Sequence, residues 1–186
     1  MDTIVLSGKK ELDIYINPQR QNLLRCMRIA GAPMTPKQLS DQLGISASAV
    51  QHHIKKLVEL GIVGLSHTER IHGIMASYYK VLPKTVSIGC QLNDKNDVQR
   101  FAFMQNTLNS VFSGFAEHCQ KSSDCCIDGY YGDLLSGIAY LGKEEAQELY
   151  GIIRDFLDHH EEKSHQGKIP WEYALIAYPL SGEQNE

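Results

Sequence analysis

Ser48, Gln51, His52 and Lys55 are spaced so that a helix carries them on one side. At about 100° per residue they fall within a single arc about 100° wide. Ala47, Val50, Ile54 and Leu57 fill the opposite, apolar arc. A hydroxyl, an amide, an imidazole and an ammonium in one acid-free cluster suit an anionic, hydrogen-bonding partner. Glutamine can pair with an adenine edge, serine and histidine adapt to several bases, and Lys55 with Lys56 can clamp phosphates. Glu59 lies on the same side but a turn further from the helix N-terminus. His53 falls beside the apolar arc, a half-buried structural position. Arg70 and His72, at the tip of a hairpin, could enter a minor groove. Thr35, Lys37 and Gln38, at the start of the preceding helix, complete the candidate contacts.

Other clusters also carry groups capable of chemistry. Cys26, Cys90, Cys119, Cys125 and Cys126 are odd in number and two are adjacent, so free thiols in a reducing compartment are expected. His118-Cys119 with Asp124-Cys125-Cys126 could bind a soft metal or act as a redox switch, but the spacing fits no common zinc signature. Cys119 also sits on an apolar stripe and reads as core. Asp155, Asp158, His159, His160, Glu161, Glu162 and His165 read as a charged helix end, although Asp155 and His159, one turn apart, could face a metal. Tyr130, Tyr131, Tyr140, Trp171, Tyr173 and Tyr178 could line a small-molecule effector pocket or simply pack. The reading assigns no metal ligand and no cofactor. No phosphate-binding glycine loop, nucleophile elbow or zinc-protease helix occurs, so no catalytic residue is assigned and an enzyme is not expected.

These residues need elements to position them. Leu12, Ile14 and Ile16 alternate, which predicts a short strand. Asn17-Pro18 starts a helix ending at Gly31-Ala32-Pro33. Thr35-Pro36-Lys37-Gln38 is a capping box opening a second helix that stops at Gly44. Ser46 caps a third, running to about Leu60 before Gly61. Strands over about 62–67 and 74–82, with a tip over 68–73, form a hairpin. Further on, Asp94 or Asn96 caps a long helix over about 97–120 with an apolar stripe that includes Val98, Phe101, Phe112 and Phe115, read as core or dimer interface. A polar loop over 121–132, a strand-like 134–141, a helix over 144–162, a final strand over 171–178 and a frayed 181–186 complete the chain.

The 186 residues divide sharply by charge. Residues 1–84 carry eleven basic and six acidic side chains, a net of +5. Residues 85–186 carry seven and sixteen, a net of -9. An anion-binding module joined to an acidic one is the expectation. The apolar fraction of 42% excludes a disordered chain. No apolar run approaches the ~18–20 residues of a membrane span, and Asp2 stands where a signal peptide needs positive charge. A cytoplasmic protein without membrane contact is expected.

Short helix, glycine turn, longer helix and hairpin follow the order of a winged helix-turn-helix. Leu39-Ser40-Asp41-Gln42-Leu43-Gly44-Ile45-Ser46, then Ala49-Val50-Gln51-His52-His53-Ile54-Lys55-Lys56-Leu57 and Gly61-Ile62-Val63, resemble the ArsR-like winged helix-turn-helix repressors over about residues 17–82. The resemblance implies a homodimeric transcriptional regulator whose third helix reads the major groove of double-stranded DNA. That role maps onto Ser46, Ser48, Gln51, His52 and Lys55, and the hairpin becomes the wing. The arsenic-sensing Cys-x-Cys pair of that family has no match here. The expected fold is α+β: a winged helix-turn-helix DNA-binding domain over 1–84, then an α+β domain over 85–186 for dimerisation and effector sensing. Two other readings remain: a metal- or thiol-responsive repressor of the same fold, and a winged-helix protein-interaction module that does not bind DNA.

Overall fold

In the computed structural model, residues 2–88, 95–121, 132–160 and 168–180 are described. The chain begins with a strand, β1 (Asp2–Val5), and a short helix, α1 (Lys9–Tyr15). The helix replaces the strand expected around Leu12, Ile14 and Ile16. The Glu11 carboxylate accepts from the backbone N–H groups of Ser7 (3.2 Å) and Gly8 (3.1 Å), satisfying donors at the helix entrance. Leu12 and Tyr15, three residues apart, are then both buried. The same residues fit either period, and the cap decides for the helix.

Three helices follow where their caps predict. In α2 (Pro18–Ala30) the Asn17 side chain accepts from the Arg20 N–H, and Gly31 closes the helix in the left-handed region. In α3 (Pro36–Leu43) Thr35 and Gln38 form the reciprocal capping box. Ser46 caps α4 (Ala47–Glu59) through the Ala49 N–H at 3.2 Å. Between α3 and α4, Gly44 takes φ +65°, which a side chain rarely adopts. Arg20, nearly buried, donates from Nη2 to the Asp13 carbonyl at 3.0 Å and from Nε to that of Ile14. Gln21 donates to Tyr15 O at 2.6 Å. Side chains of α2 thereby satisfy carbonyls at the end of α1.

The core lies among these helices. Leu12, Leu23, Leu24, Leu39, Val50 and Leu57 are fully buried, and Met27 and Ile54 nearly so. Each such side chain contributes about 1.5–3 kcal/mol through removal from water.

The hairpin consists of β2 (Val63–Ile71) and β3 (Ile74–Val81), antiparallel, with an irregularity between Leu65 and His67. It is longer than expected. Thr68 to Ile71 are paired strand residues, and the tip is only His72 (φ 47°) and Gly73 (φ 83°). Two central residues at positive φ mark the tight turn whose twist matches its strands. Tyr79 of β3 exchanges backbone hydrogen bonds with Met34, at 2.8 and 2.9 Å, pinning the hairpin to the segment before α3. A fourth strand, β4 (Lys84–Ser87), pairs in parallel with β1.

Two helices remain, α5 (Asp97–Lys121) and α6 (Lys143–Asp158). The chain forms two compact units, Met1–Arg100 with Ile138–Lys168, and Phe101–Gly137 with Ile169–Glu186. At the start of α5, in the first unit, the buried Arg100 donates to the carbonyls of Leu6 (2.8 Å) and Ile88. The apolar stripe of α5 is only partly covered: Val98, Phe101 and Phe112 are exposed, Met104, Leu108, Val111 and Phe115 are half-buried, and Arg100 is the helix's one buried residue. Residues 134–141 and 171–178 form no strand, contrary to expectation. Leu135 and Tyr140 stand almost wholly exposed. The overall class is α+β, with the helix-turn-helix and its hairpin wing at the N-terminal end. Among the described residues no helix is long and apolar enough to cross a membrane.

Candidate nucleic-acid interface

The third helix of the sequence reading is α4, and its burial divides as the wheel requires. Val50, Ile54 and Leu57 face the core, while Ser48, Gln51, His52 and Lys55 are exposed. A groove of about 910 Å³ runs between α4, the start of α3 and the wing. Gln51 and Lys55 line it from α4, Thr35, Lys37 and Gln38 from the start of α3, and His72 from the wing tip. Six of the eleven candidate contacts thus converge on one concavity.

The other five lie beside it. Ser48 and His52 are exposed on α4. Ser46 is occupied as the α4 cap, and its hydroxyl sits 3.1 Å from that of Ser48. Lys56 Nζ is ion-paired with Glu59 at 2.9 Å, on a side chain only 30% exposed. Arg70 stands opposite Met75 near the wing tip.

Some groove residues have local duties too. Thr35 is 8% exposed. It accepts from the Gln38 N–H at 3.2 Å, while Gln38 Oε1 accepts from the Thr35 N–H at 2.8 Å. That leaves the Gln38 amide nitrogen for a partner. Lys37 pairs with Asp41 at 2.5 Å, both ends solvent-exposed, a contact that costs little to exchange for a phosphate.

The groove also contains residues that sequence reasoning missed. Val58, Ile71, Ile74, Met75, Ala76, Ser77, Tyr78 and Tyr79 all line it. Sequence pattern predicts the strand, but the Met34–Tyr79 pairing that anchors β3 to the segment before α3 is a long-range contact that spacing does not announce. Tyr78 stacks on His67 across the wing, ring centroids 4.4 Å apart. Its hydroxyl is hydrogen-bonded to Glu69, and burial together with that carboxylate raises its pKa. The acidic residue nearest the wing tip is therefore engaged.

His53 occupies the half-buried position expected. Its Nδ1 is buried without a hydrogen-bond partner. Burial, then the charges of Arg20 and His52, lower its pKa below 6.5. It stays neutral at neutral pH.

The sensing candidates are scattered. Cys119 is exposed near the end of α5, not core. Burial raises the Cys26 thiol pKa, and its Sγ lies 2.7 Å from Gln42 Oε1. At the end of α6 the Nδ1 atoms of His159 and His160 bond to the carbonyls of Asp155 and Phe156. Among the described residues no three His, Cys, Asp or Glu side chains gather to hold a metal. Tyr140, Trp171, Tyr173 and Tyr178 are exposed. Cys90, Asp94, Cys125, Cys126, Tyr130, Tyr131, Glu161, Glu162, His165 and 181–186 lie outside the described residues.

Residues 15–64 match the family model of a helix-turn-helix domain. No curated protein matches the chain. Among solved structures, a possible transcriptional regulator from Methanosarcina mazei Go1 is similar at 18% identity and TM-score 0.34, over 60% of this chain and 82% of its own. The adhesin competence repressor from Streptococcus pyogenes is similar at 16% identity and TM-score 0.31, over 80% of this chain and 83% of its own. Identities and TM-scores this low carry no inference about function.

Proposed function

We propose, from the helix-turn-helix domain over 15–64, that this protein is a sequence-specific DNA-binding transcriptional regulator. The observation that carries the reading is the shared groove: Gln51 and Lys55 of α4, Lys37 and Gln38 of α3, and His72 of the wing face one space. In this reading α4 enters the major groove, with Gln51 reading a base edge and Lys55 and Lys37 holding phosphates. The net +5 over residues 1–84 attracts the duplex, and the net -9 over 85–186 keeps the remainder off its backbone.

The finer reading is a homodimeric repressor, similar in plan to the ArsR-like regulators. Residues 1–84 bind DNA, and 85–186 dimerise and take a small-molecule effector. Two copies of α4 then address major grooves about 34 Å apart, on an imperfect palindrome. Fluorescence anisotropy on DNA from upstream of its own gene, against random duplex across a salt series, tests this. Preference for the upstream DNA with a steep salt slope supports it. No binding at low salt overturns it.

One observation favours a second reading. Val58, Ile71, Ile74 and Met75 make much of the groove apolar. A protein-interaction module would use such a surface, and would bind its partner with little salt dependence.

A further inference from the structure

The wing tip is unusual for a surface that meets phosphates. Ile74 is 74% exposed, Met75 60% and Ile71 38%. Ile71 and Ile74 are register partners flanking the two-residue turn, so both side chains project from one face at the extreme end. Arg70 stands opposite Met75 one step back, and His72 forms the turn itself. Residues 70–75 contain no acidic side chain. The hairpin ends in an apolar point edged by cationic and imidazole groups.

We propose that this point is a DNA wedge: Ile71 and Ile74 press between base pairs in the minor groove and bend the duplex. The proposal rests on the DNA-binding reading above and deepens it. Three observations support DNA as the occupant. The tip is continuous with the groove that holds Gln51 and Lys55. Its flanks, Arg70 and His72, suit phosphates and minor-groove edges. The two-residue turn leaves Ile71 and Ile74 as the last pair of the hairpin, so their side chains, not the ribbon itself, reach a groove about 6 Å wide. Apolar side chains inserted there unstack a base step and kink DNA by about 20–90° toward the major groove. The backbone pairing of Tyr79 with Met34 anchors the base of the hairpin, and the ladder from His67–Tyr78 to Ile71–Ile74 carries it out to the tip.

The test uses the full chain and a duplex of about three helical turns, roughly 30 base pairs, selected from a random pool by the protein at low salt. Dyes on the two duplex ends report the bend by energy transfer, and anisotropy reports binding. Wild type is expected to bring the ends closer. Ile71→Ser/Ile74→Ser is expected to bind measurably and leave the ends at the free-duplex distance. Arg70→Ala is expected to weaken binding and lower the salt slope while keeping the bend. If the double variant does not fold, Ile74→Ser alone carries the comparison. Binding without a bend, or an equal bend in wild type and variant, overturns the wedge and leaves DNA binding standing. So does loss of self-association in the variant by sedimentation with the bend unchanged, which assigns the tip to a second copy. Failure of the wild type to select any duplex overturns both.

Discussion

Replacing Gln51 with alanine removes a groove-lining amide without disturbing the core, since the side chain is exposed. If it reads a base, Gln51→Ala costs about 1–3 kcal/mol and relaxes preference at one operator position. Equal losses on specific and random duplex would remove that role. Lys55→Ala is expected to weaken all sequences alike and lower the salt slope by about one unit. Lys56→Ala is expected to do less, because Glu59 already holds its ammonium. His53 gives a separate prediction. Its folded pKa lies below the unfolded value of about 6.5, so below that pH the unfolded chain binds more protons. Stability is unaffected by His53 above pH 6.5 and falls as pH drops through that window. A shallower acid limb in the melting temperature of His53→Gln confirms it, and an unchanged limb refutes it.

At the scale of elements, caps carry much of the specification. Thr35→Ala removes the acceptor for the Gln38 N–H, and about 1 kcal/mol of loss is expected by denaturant titration. Gly44→Ala forces a side chain into the left-handed region, for about 1–2 kcal/mol, although nothing lies within 4 Å of the added carbon. These signals are local, which is why Asn17, Thr35, Ser46, Gly31 and Gly44 could be read from the chain directly. Elements fixed by distant partners could not. β1 pairs with β4 about eighty residues later, and nothing within Asp2–Val5 announces that. The segment misleads because Leu12 and Ile14, both buried, imitate alternation, while the helical spacing of Leu12 and Tyr15 and the capping role of Glu11 are easily overlooked. For the site, the helix face of Gln51 and Lys55 was legible from spacing. The contribution of Tyr78, Tyr79 and Met75 was not, since it depends on where the hairpin lies against α4.

For the whole molecule, the exposed stripe on α5 sets an expectation about assembly. Val98, Phe101 and Phe112 stay in water in a single chain at 85%, 58% and 63% exposure. Exposed apolar residues of this size mark interaction surfaces when contiguous. If α5 joins two copies, sedimentation gives twice 20.9 kDa, and Phe101→Ser/Phe112→Ser gives single chains that still melt cooperatively. A single-chain mass for the wild type overturns the dimer and, with it, the palindromic operator.

The Met34–Tyr79 pairing has a consequence for how such a protein can change over generations. Both hydrogen bonds run between main-chain atoms, so no single side-chain replacement deletes them except proline. The hairpin's placement is thereby uncoupled from its vocabulary. With the turn residues His72 and Gly73 kept, positions 70, 71, 74 and 75 can be rewritten, by drift or by a protein engineer, while the base of the hairpin keeps the same anchor. New DNA preferences then become reachable by one substitution at a time, without passing through misfolded intermediates.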